Sequence, residues 1–348
     1  MAVDSMRSIA VPTSMSARDD GPSPIASDAP GGRTGTPLGM KTALVIDSAC
    51  DLPEAYIQRH ALHVLPNTVL LGDQRWIDAR DANRTLAFHH HYATAHNLAA
   101  ATEPCSPSAI AALFLDHLVT AYDRAVLLTL SQARSALFQN ATEASFAILR
   151  GYRERRRQAG LNTPFYLNVL DSKTVFAGQA VLAHEVVRLL GQAEISFNEL
   201  RCLIEEFRSY IRCYLLFNDW SHARRQASAR DEGRIGLLNV HLGRLLGVKP
   251  VVRFVEGETE LALQARGFDR ALSGLFEQAL LDIDQGLRSP LIVLSYAGDP
   301  QVIRQKRAFV EFEHRARQWG LELMVSIMSA TGGLHVGPGA VSLAFAVA

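Results

Sequence analysis

Three stretches of the 348-residue chain repeat one grammar: an unbroken, mostly apolar run, a polar residue, then a longer stretch with apolar positions at helical spacing. The runs are TALVID (42–47), AVLLTLS (125–131) and FYLNVLDS (165–172). A strand that is apolar at successive positions, not alternate ones, is buried on both faces, as in a parallel sheet covered by helices. The first run ends in Asp47-Ser48, after which Asp51 is placed to cap a helix with Pro53 in its first turn. The second leads into a helix through Arg157, and the third into a helix from about Gly178 to Leu190. This repeated order predicts a doubly wound parallel sheet. Ligands of such sheets bind beyond the carboxyl ends of the strands, where Ser48, Ser135 and Asp171 would gather.

After Gly191 the texture changes. FNELRCLIEEFRSYI has the pattern of an amphipathic helix, and VKPVVRFV (248–255) runs into a hairpin at Glu256-Gly257. A helix over 268–286, a strand at LIVLSYAG, a helix over 300–319 and strands at ELMVSIMS and AVSLAFAV complete the half. The expected architecture is α/β in two domains. Residues 41–195 carry the doubly wound parallel sheet, 196–348 a mixed sheet with helices, and a ligand lies between them. Residues 1–40, rich in Ser, Pro, Gly, Asp and Ala, cannot bury enough apolar surface to offset their ordering entropy and read as a disordered tail.

Charge narrows the partners. With 35 basic and 35 acidic residues, the chain lacks the electrostatic footprint of a general nucleic-acid binder and has no polybasic segment to hold it on an anionic membrane. No apolar run reaches the ~18 residues of a membrane span, and the N-terminus lacks the apolar core of a secretory signal, so neither stable membrane insertion nor export is expected. Cys50, Cys105, Cys202 and Cys213 show no CxxC spacing and read as small apolar side chains of a reducing cytoplasm. GxGxxG and GxxxxGK[ST] are both absent, so neither a dinucleotide site nor a P-loop is indicated. His89-His90-His91 and His96 invite a metal reading, but consecutive helical histidines point in different directions and no carboxylate or cysteine stands at ligand spacing. No metal and no cofactor are expected. Arg153–Arg157 reads as a solvated helix end.

The residues that could carry chemistry are hydroxyls and one imidazole. Thr102 and Ser135 each lie in a loop or just beyond a strand, and two hydroxyls with backbone N–H groups at a helix N-terminus can cradle a carboxylate. The plainer alternative is that Ser135 is a helix cap and Thr102 a loop residue. His335 precedes Gly337-Pro338-Gly339, where glycine lets the backbone approach a ligand and an imidazole can face an anion; a structural turn histidine is the alternative. Arg234 sits in a glycine-flanked turn before a helix. Asp47 and Asp171, followed by Ser48 and Ser172, end strands and would order the loops around them.

Five segments, in order, resemble the DegV family. They are ALVIDSACDLP (43–53), TEPCSPS (102–108, with Ser106), LSQARSALFQNA (130–141), VLDSKTVFAGQAVL (169–182), and EGRIGLLNVHLGRLLGVKPVV (232–252) with the terminal GGLHVGPGAVSLAF (332–345). Where the family has Gly-Thr-Tyr, Gly-Gly-Arg and Ser-Gln-Pro, this chain has Ala136-Leu137-Phe138, Glu232-Gly233-Arg234 and Glu103-Pro104-Cys105. The resemblance implies a protein that holds a long-chain fatty acid in an apolar tunnel. Thr102, Ser135 and His335 would contact its carboxylate, and Asp47, Ser48, Ser106, Asp171, Ser172, Arg234 and Gly337 would support the site or face a partner. It further implies presentation of the fatty acid to a separate ATP-dependent kinase. Two other readings stand beside it. One is a hydrolase with Ser135 as nucleophile, His335 as base and Asp47 or Asp171 as orienter, although the serine is not in a GxSxG elbow. The other is a lipid sensor without a kinase.

Overall fold

The computed structural model describes residues 40–94, 100–192, 195–228 and 247–348. The first apolar run is strand β1 (Thr42–Asp47), which pairs in parallel with β2 (His63–Leu65) and with β6 (Arg124–Thr129). Strand β6 pairs in parallel with β7 (Tyr166–Asp171), giving a sheet ordered β2-β1-β6-β7. Its faces sort by sequence parity: Leu44, Ile46, Val126 and Leu128 enter one core, and Ala43, Val45, Ala125 and Leu127 another. Both faces are covered by helices, which is why the runs show no polar alternation. Helix Leu137–Gln158 packs on the second face.

A second sheet holds β8 (Ile211–Leu216), β9 (Val248–Val255), β10 (Glu258–Arg266), β11 (Leu291–Tyr296), β12 (Glu322–Ile327) and β13 (Val341–Ala346). Their order is β10-β9-β8-β13-β11-β12, with β11 and β12 parallel and the other neighbours antiparallel. The fold is thus α/β, with one parallel and one mixed sheet. The hairpin turn falls at Glu256-Gly257, both at positive φ (50° and 88°), as a two-residue turn between twisted strands requires.

Helix Ala177–Leu190 joins the two sheets. Ten of its 14 residues are buried, more than one amphipathic face can account for, because it packs on both sides. Val181, Leu182 and Val186 share a single core with Leu44 and Ile46 of the parallel sheet and with Cys213, Leu215, Val293 and Ala344 of the mixed one.

A third, antiparallel sheet escapes the sequence reading: β3 (Asn67–Leu71), β4 (Gln74–Asp78) and β5 (Ala100–Glu103), ordered β4-β3-β5. Val69 and Leu71 pack against Phe88 and Tyr92 of helix Ala82–Thr94 and against Ala330 and Leu334 of helix Ala330–Val336.

Four local expectations are corrected. Asp51 caps no helix; Pro53 holds the cap position before Glu54–Arg59, and the Asp51 carboxylate turns inward. The expected helix over 300–319 breaks into Pro300–Arg304 and Arg307–Gln318, because Lys306 is extended (ψ 131°). The end of FNELRCLIEEFRSYI leaves the helix after Ser209 and enters β8. Within the Arg153–Arg157 cluster, Arg156 is buried: its guanidinium donates to the carbonyls of Val119, Tyr122 and Thr163 and pairs with Asp123. Five N–H donors on one rigid group make such a junction possible. Among the described residues no helix is long and apolar enough to cross a membrane.

Candidate functional site

The carboxyl end of β1 organises the loops. Asp47 is fully buried; its Oδ1 accepts from the Ala49 N–H at 2.8 Å, and its Oδ2 from the Leu130 N–H at 2.5 Å and from Gln179 Nε2 at 2.9 Å. One carboxylate therefore ties the loop after β1 to the loop after β6 and to the first turn of helix Ala177–Leu190. Burial raises its pKa to about 6, against the opposing pull of those donors. Asp171 does a similar job two strands over: its Oδ1 accepts from the N–H groups of Gln132 (3.1 Å) and Lys173 (2.9 Å). Ser172, also fully buried, closes a local turn by donating to the Thr174 carbonyl at 3.2 Å.

The Thr102 segment is fastened from three sides. Thr102 lies on β5 opposite Val69. Three residues on, the Cys105 N–H donates to Asn67 Oδ1 at 3.4 Å, while its carbonyl accepts from Asn140 Nδ2 at 3.0 Å in the first turn of helix Leu137–Gln158. Asn67 in turn donates its N–H to the buried Ser48 hydroxyl at 3.1 Å. Ser106 is exposed and caps helix Pro107–Leu113 through the Ala109 N–H.

Thr102 also meets the far end of the chain. Its Oγ1 and His335 Nε2 lie 3.1 Å apart and share a hydrogen bond. His335 stands in the last turn of helix Ala330–Val336, where a turn was expected. The Gly-Gly pair before it has a steric reason: a Cβ on Gly333 would come within 2.3 Å of His89 Cε1, so only glycine lets this helix reach the helix carrying His89. Gly337, at φ +89°, ends the helix, and a Cβ there would come 2.8 Å from the His222 ring.

Ser135 is half-buried in the loop between β6 and helix Leu137–Gln158, and its hydrogen bonds are local: its N–H donates to the Ser131 carbonyl, and its Oγ accepts from the Leu137 N–H at 3.2 Å. Asp47 and Asp171 are engaged by other donors, so Ser135, His335 and either aspartate form no hydrogen-bonded relay among the described residues. The described hydrogen bonds thus unite Thr102 with His335 and anchor the Thr102 segment to the helix that follows Ser135. Arg234 and His96 lie outside the described residues, as do residues 1–39.

Sequence reasoning missed a buried polar node beside this site. Arg80 pairs with Asp51 at 3.3 Å and donates to the carbonyls of Leu52 and Ile327 at 2.9 and 3.0 Å. Asp51 also accepts from Ser295 Oγ and from the Ser329 N–H. Burial raises the Asp51 pKa to about 6 despite the adjacent guanidinium. His89 is buried on the Met328 carbonyl at 2.8 Å, and desolvation lowers its pKa to about 4. His90, by contrast, is exposed, so the consecutive histidines diverge. Tyr92 and His222 meet at 3.0 Å and both reach the Leu334 carbonyl. Apart from the His89-His90-His91 run, read above for metal, and the DegV-like Asp51-Leu52-Pro53 string, no local pattern marks these residues.

Known proteins share this α/β fold. The DegV family model matches residues 41–348. A DegV domain-containing protein of Xanthomonas campestris pv. campestris is 36% identical over 307 residues, covering 88% of this chain and 98% of that protein. The chain belongs to the DegV family. Among solved structures, a stearic acid-binding protein from Eubacterium ventriosum shares the fold with a TM-score of 0.72 at 20% identity, covering 88% of this chain and 98% of that one. The fatty acid kinase B3 protein of Streptococcus pneumoniae, loaded with linoleic acid, aligns with a TM-score of 0.64 at 15% identity, over 89% of this chain and 100% of its own.

Proposed function

We propose that this protein binds a long-chain fatty acid in an apolar tunnel between its 41–195 and 196–348 halves and presents it, in the cytoplasm, to a separate kinase. The carboxylate is held by Thr102, Ser135 and His335, and the kinase supplies ATP and phosphorylates that carboxylate. The observation that carries this reading is the Thr102–His335 hydrogen bond, which joins the two family-like segments that implied a carboxylate site. A hydroxyl and an imidazole at hydrogen-bonding distance can turn together toward an anion, and the Ser135 hydroxyl stands before the N-terminus of a 22-residue helix whose dipole favours negative charge. Burying a sixteen-carbon tail at about 0.8 kcal/mol per CH₂ supplies roughly ten kcal/mol of gross drive, so the tail dominates affinity and the polar groups select the head. The stearate- and linoleate-binding relatives of the same fold support the ligand class, and the kinase protein among them supports the partner.

The test is denaturing extraction of the purified protein followed by lipid mass spectrometry. Retained C14–C18 acids are expected, together with ATP-dependent conversion of the bound acid once a fatty acid kinase is added. A lipid-free preparation that also fails to take up palmitate or oleate overturns the binding reading. Binding without turnover by any such kinase removes the partner and leaves a lipid sensor.

A further inference from the structure

We propose that Asp78 and Thr331 are positioning residues that set the register of His335 against Thr102; the ligand arm of the test rests on the fatty-acid reading above. Helix Ala330–Val336 meets the three-stranded sheet through two side chains on one of its faces. Thr331 and His335 stand four apart, so they lie one above the other. The Thr331 N–H and Oγ1 both donate to Asp78 Oδ2, at 2.8 and 2.7 Å. His335 meets Thr102 at 3.1 Å. Asp78 ends β4 and Thr102 lies on β5, the two outer strands of the sheet, so the helix is pinned across it at two points.

A helix of seven residues does not hold its own position, since helix formation is unfavourable at this length. Its apolar contacts, Ala330 and Leu334 on Val69, Leu71 and Phe88, keep it on the sheet but are non-directional. Directional bonds come from the Asp78 carboxylate, from Tyr92 and His222 on the Leu334 carbonyl, and from the approach to the helix. There Arg80 takes the Ile327 carbonyl, His89 the Met328 carbonyl and Asp51 the Ser329 N–H. A slip of one residue would turn His335 about 100° around the helix axis, away from Thr102. Asp78 and Thr331 are 3% and 5% exposed, too buried to meet a ligand themselves. Their effect on the site therefore passes through His335.

Two readouts test this. The first is the nitrogen chemical shifts of the His335 imidazole in lipid-free protein, assigned by difference from His335→Ala. Thr331→Val, nearly isosteric but without the hydroxyl, should move them, and Thr331→Ser, which restores the hydroxyl, should return them to the wild-type values. Asp78→Leu should move them in the same way from the other side of the bond. The second readout is affinity for palmitate against methyl palmitate. Thr331→Val should weaken palmitate by about fivefold, as one lost net hydrogen bond does, with the ester and Thr331→Ser both within about twofold of wild type. Thr331→Ala replaces the valine variant if the latter does not fold. Unchanged shifts with unchanged palmitate affinity overturn the proposal, as does equal loss of acid and ester. If His335→Ala leaves palmitate binding intact while Thr331→Val moves the imidazole, the positioning stands and the carboxylate reading falls. If His335→Ala weakens palmitate and Thr331→Val does nothing, the positioning falls alone.

Discussion

Arg80 Nη1 lies 3.3 Å from Asp51 Oδ1, and both side chains are shut away from solvent. The pair joins the loop after β1 to the mixed sheet: Ser295 on β11 donates to the other Asp51 oxygen at 2.5 Å, and Arg80 Nη2 reaches Ser326 on β12 at 3.2 Å. Each charge has lost its water and has in return these partners, the Leu52 and Ile327 carbonyls on Arg80, and the Ser329 N–H on Asp51.

Removing one member of such a pair strands the other. Arg80→Met should cost about 3–5 kcal/mol in denaturant unfolding, the usual loss for an uncompensated buried charge. Arg80→Lys should recover little, because an ammonium cannot reproduce the two-nitrogen fork that serves Asp51 and the two carbonyls. The double variant Arg80→Met/Asp51→Asn should be more stable than Arg80→Met alone. An Arg80→Met loss below about 1 kcal/mol would contradict the role assigned to the pair.

The buried ionisable groups pull stability in opposite directions with pH. His89 has a folded pKa of about 4, below the 6.5 of an ordinary imidazole, so the unfolded chain takes up its proton first. Its contribution is complete above pH 6.5 and is lost as pH falls through the folded value. Asp47 and Asp51, raised to about 6, act the other way: their contribution is present below the ordinary carboxylate pKa and is lost as pH rises through 6. Substituting His89→Gln should therefore remove roughly 2–3 kcal/mol of pH dependence between pH 6.5 and 4, measured as the difference in unfolding free energy from wild type at each pH. Parallel curves for the two proteins would show that His89 takes up its proton as readily in the fold as in the unfolded chain.

Gly337→Ala should cost about 1–3 kcal/mol, since a left-handed φ of +89° strains any side chain and the new Cβ would sit 2.8 Å from His222 Cδ2. The displaced ring would also loosen its 3.0 Å bond to the Leu334 carbonyl, one residue before His335. Thermal unfolding and palmitate affinity should fall together. A variant of wild-type stability would mean that the chain relaxes here more easily than the geometry implies.

What the sequence made legible follows from burial. TALVID and its two counterparts stand out because a strand covered on both faces has no polar position to interrupt it. The small sheet stays hidden for the converse reason. QRWID is almost entirely exposed or half-buried, AATE alternates weakly, and both read as loop. The helix with His89 gives only a weak amphipathic signal because its polar His89 is buried on a carbonyl while His90 faces water. Partners 29 residues apart (Arg80 and Asp51) or 233 apart (Thr102 and His335) leave no spacing signal at all. Thr102 and His335 were singled out through family resemblance, and Arg80 and Asp78 had no such flag.

The head group itself is tested by pairing substitutions with ligands. Thr102→Val and Ser135→Ala should each weaken palmitate binding by about 1–3 kcal/mol, the loss expected when a charged acceptor loses a donor, with far smaller effects on methyl palmitate. The two positions should differ in coupling. Thr102 shares a hydrogen bond with His335, so Thr102→Val and His335→Gln act on one arrangement and their combined effect should fall short of the sum by about 0.5–3 kcal/mol. Ser135 bonds within its own loop, so its coupling to His335 should arise through the shared carboxylate alone and be smaller than that of Thr102. Isothermal titration of the singles, the two doubles and wild type closes both cycles. Additivity at both positions would mean that Thr102 and His335 part when the ligand arrives, and equal losses for acid and ester would mean that the hydroxyls serve the fold and not the carboxylate.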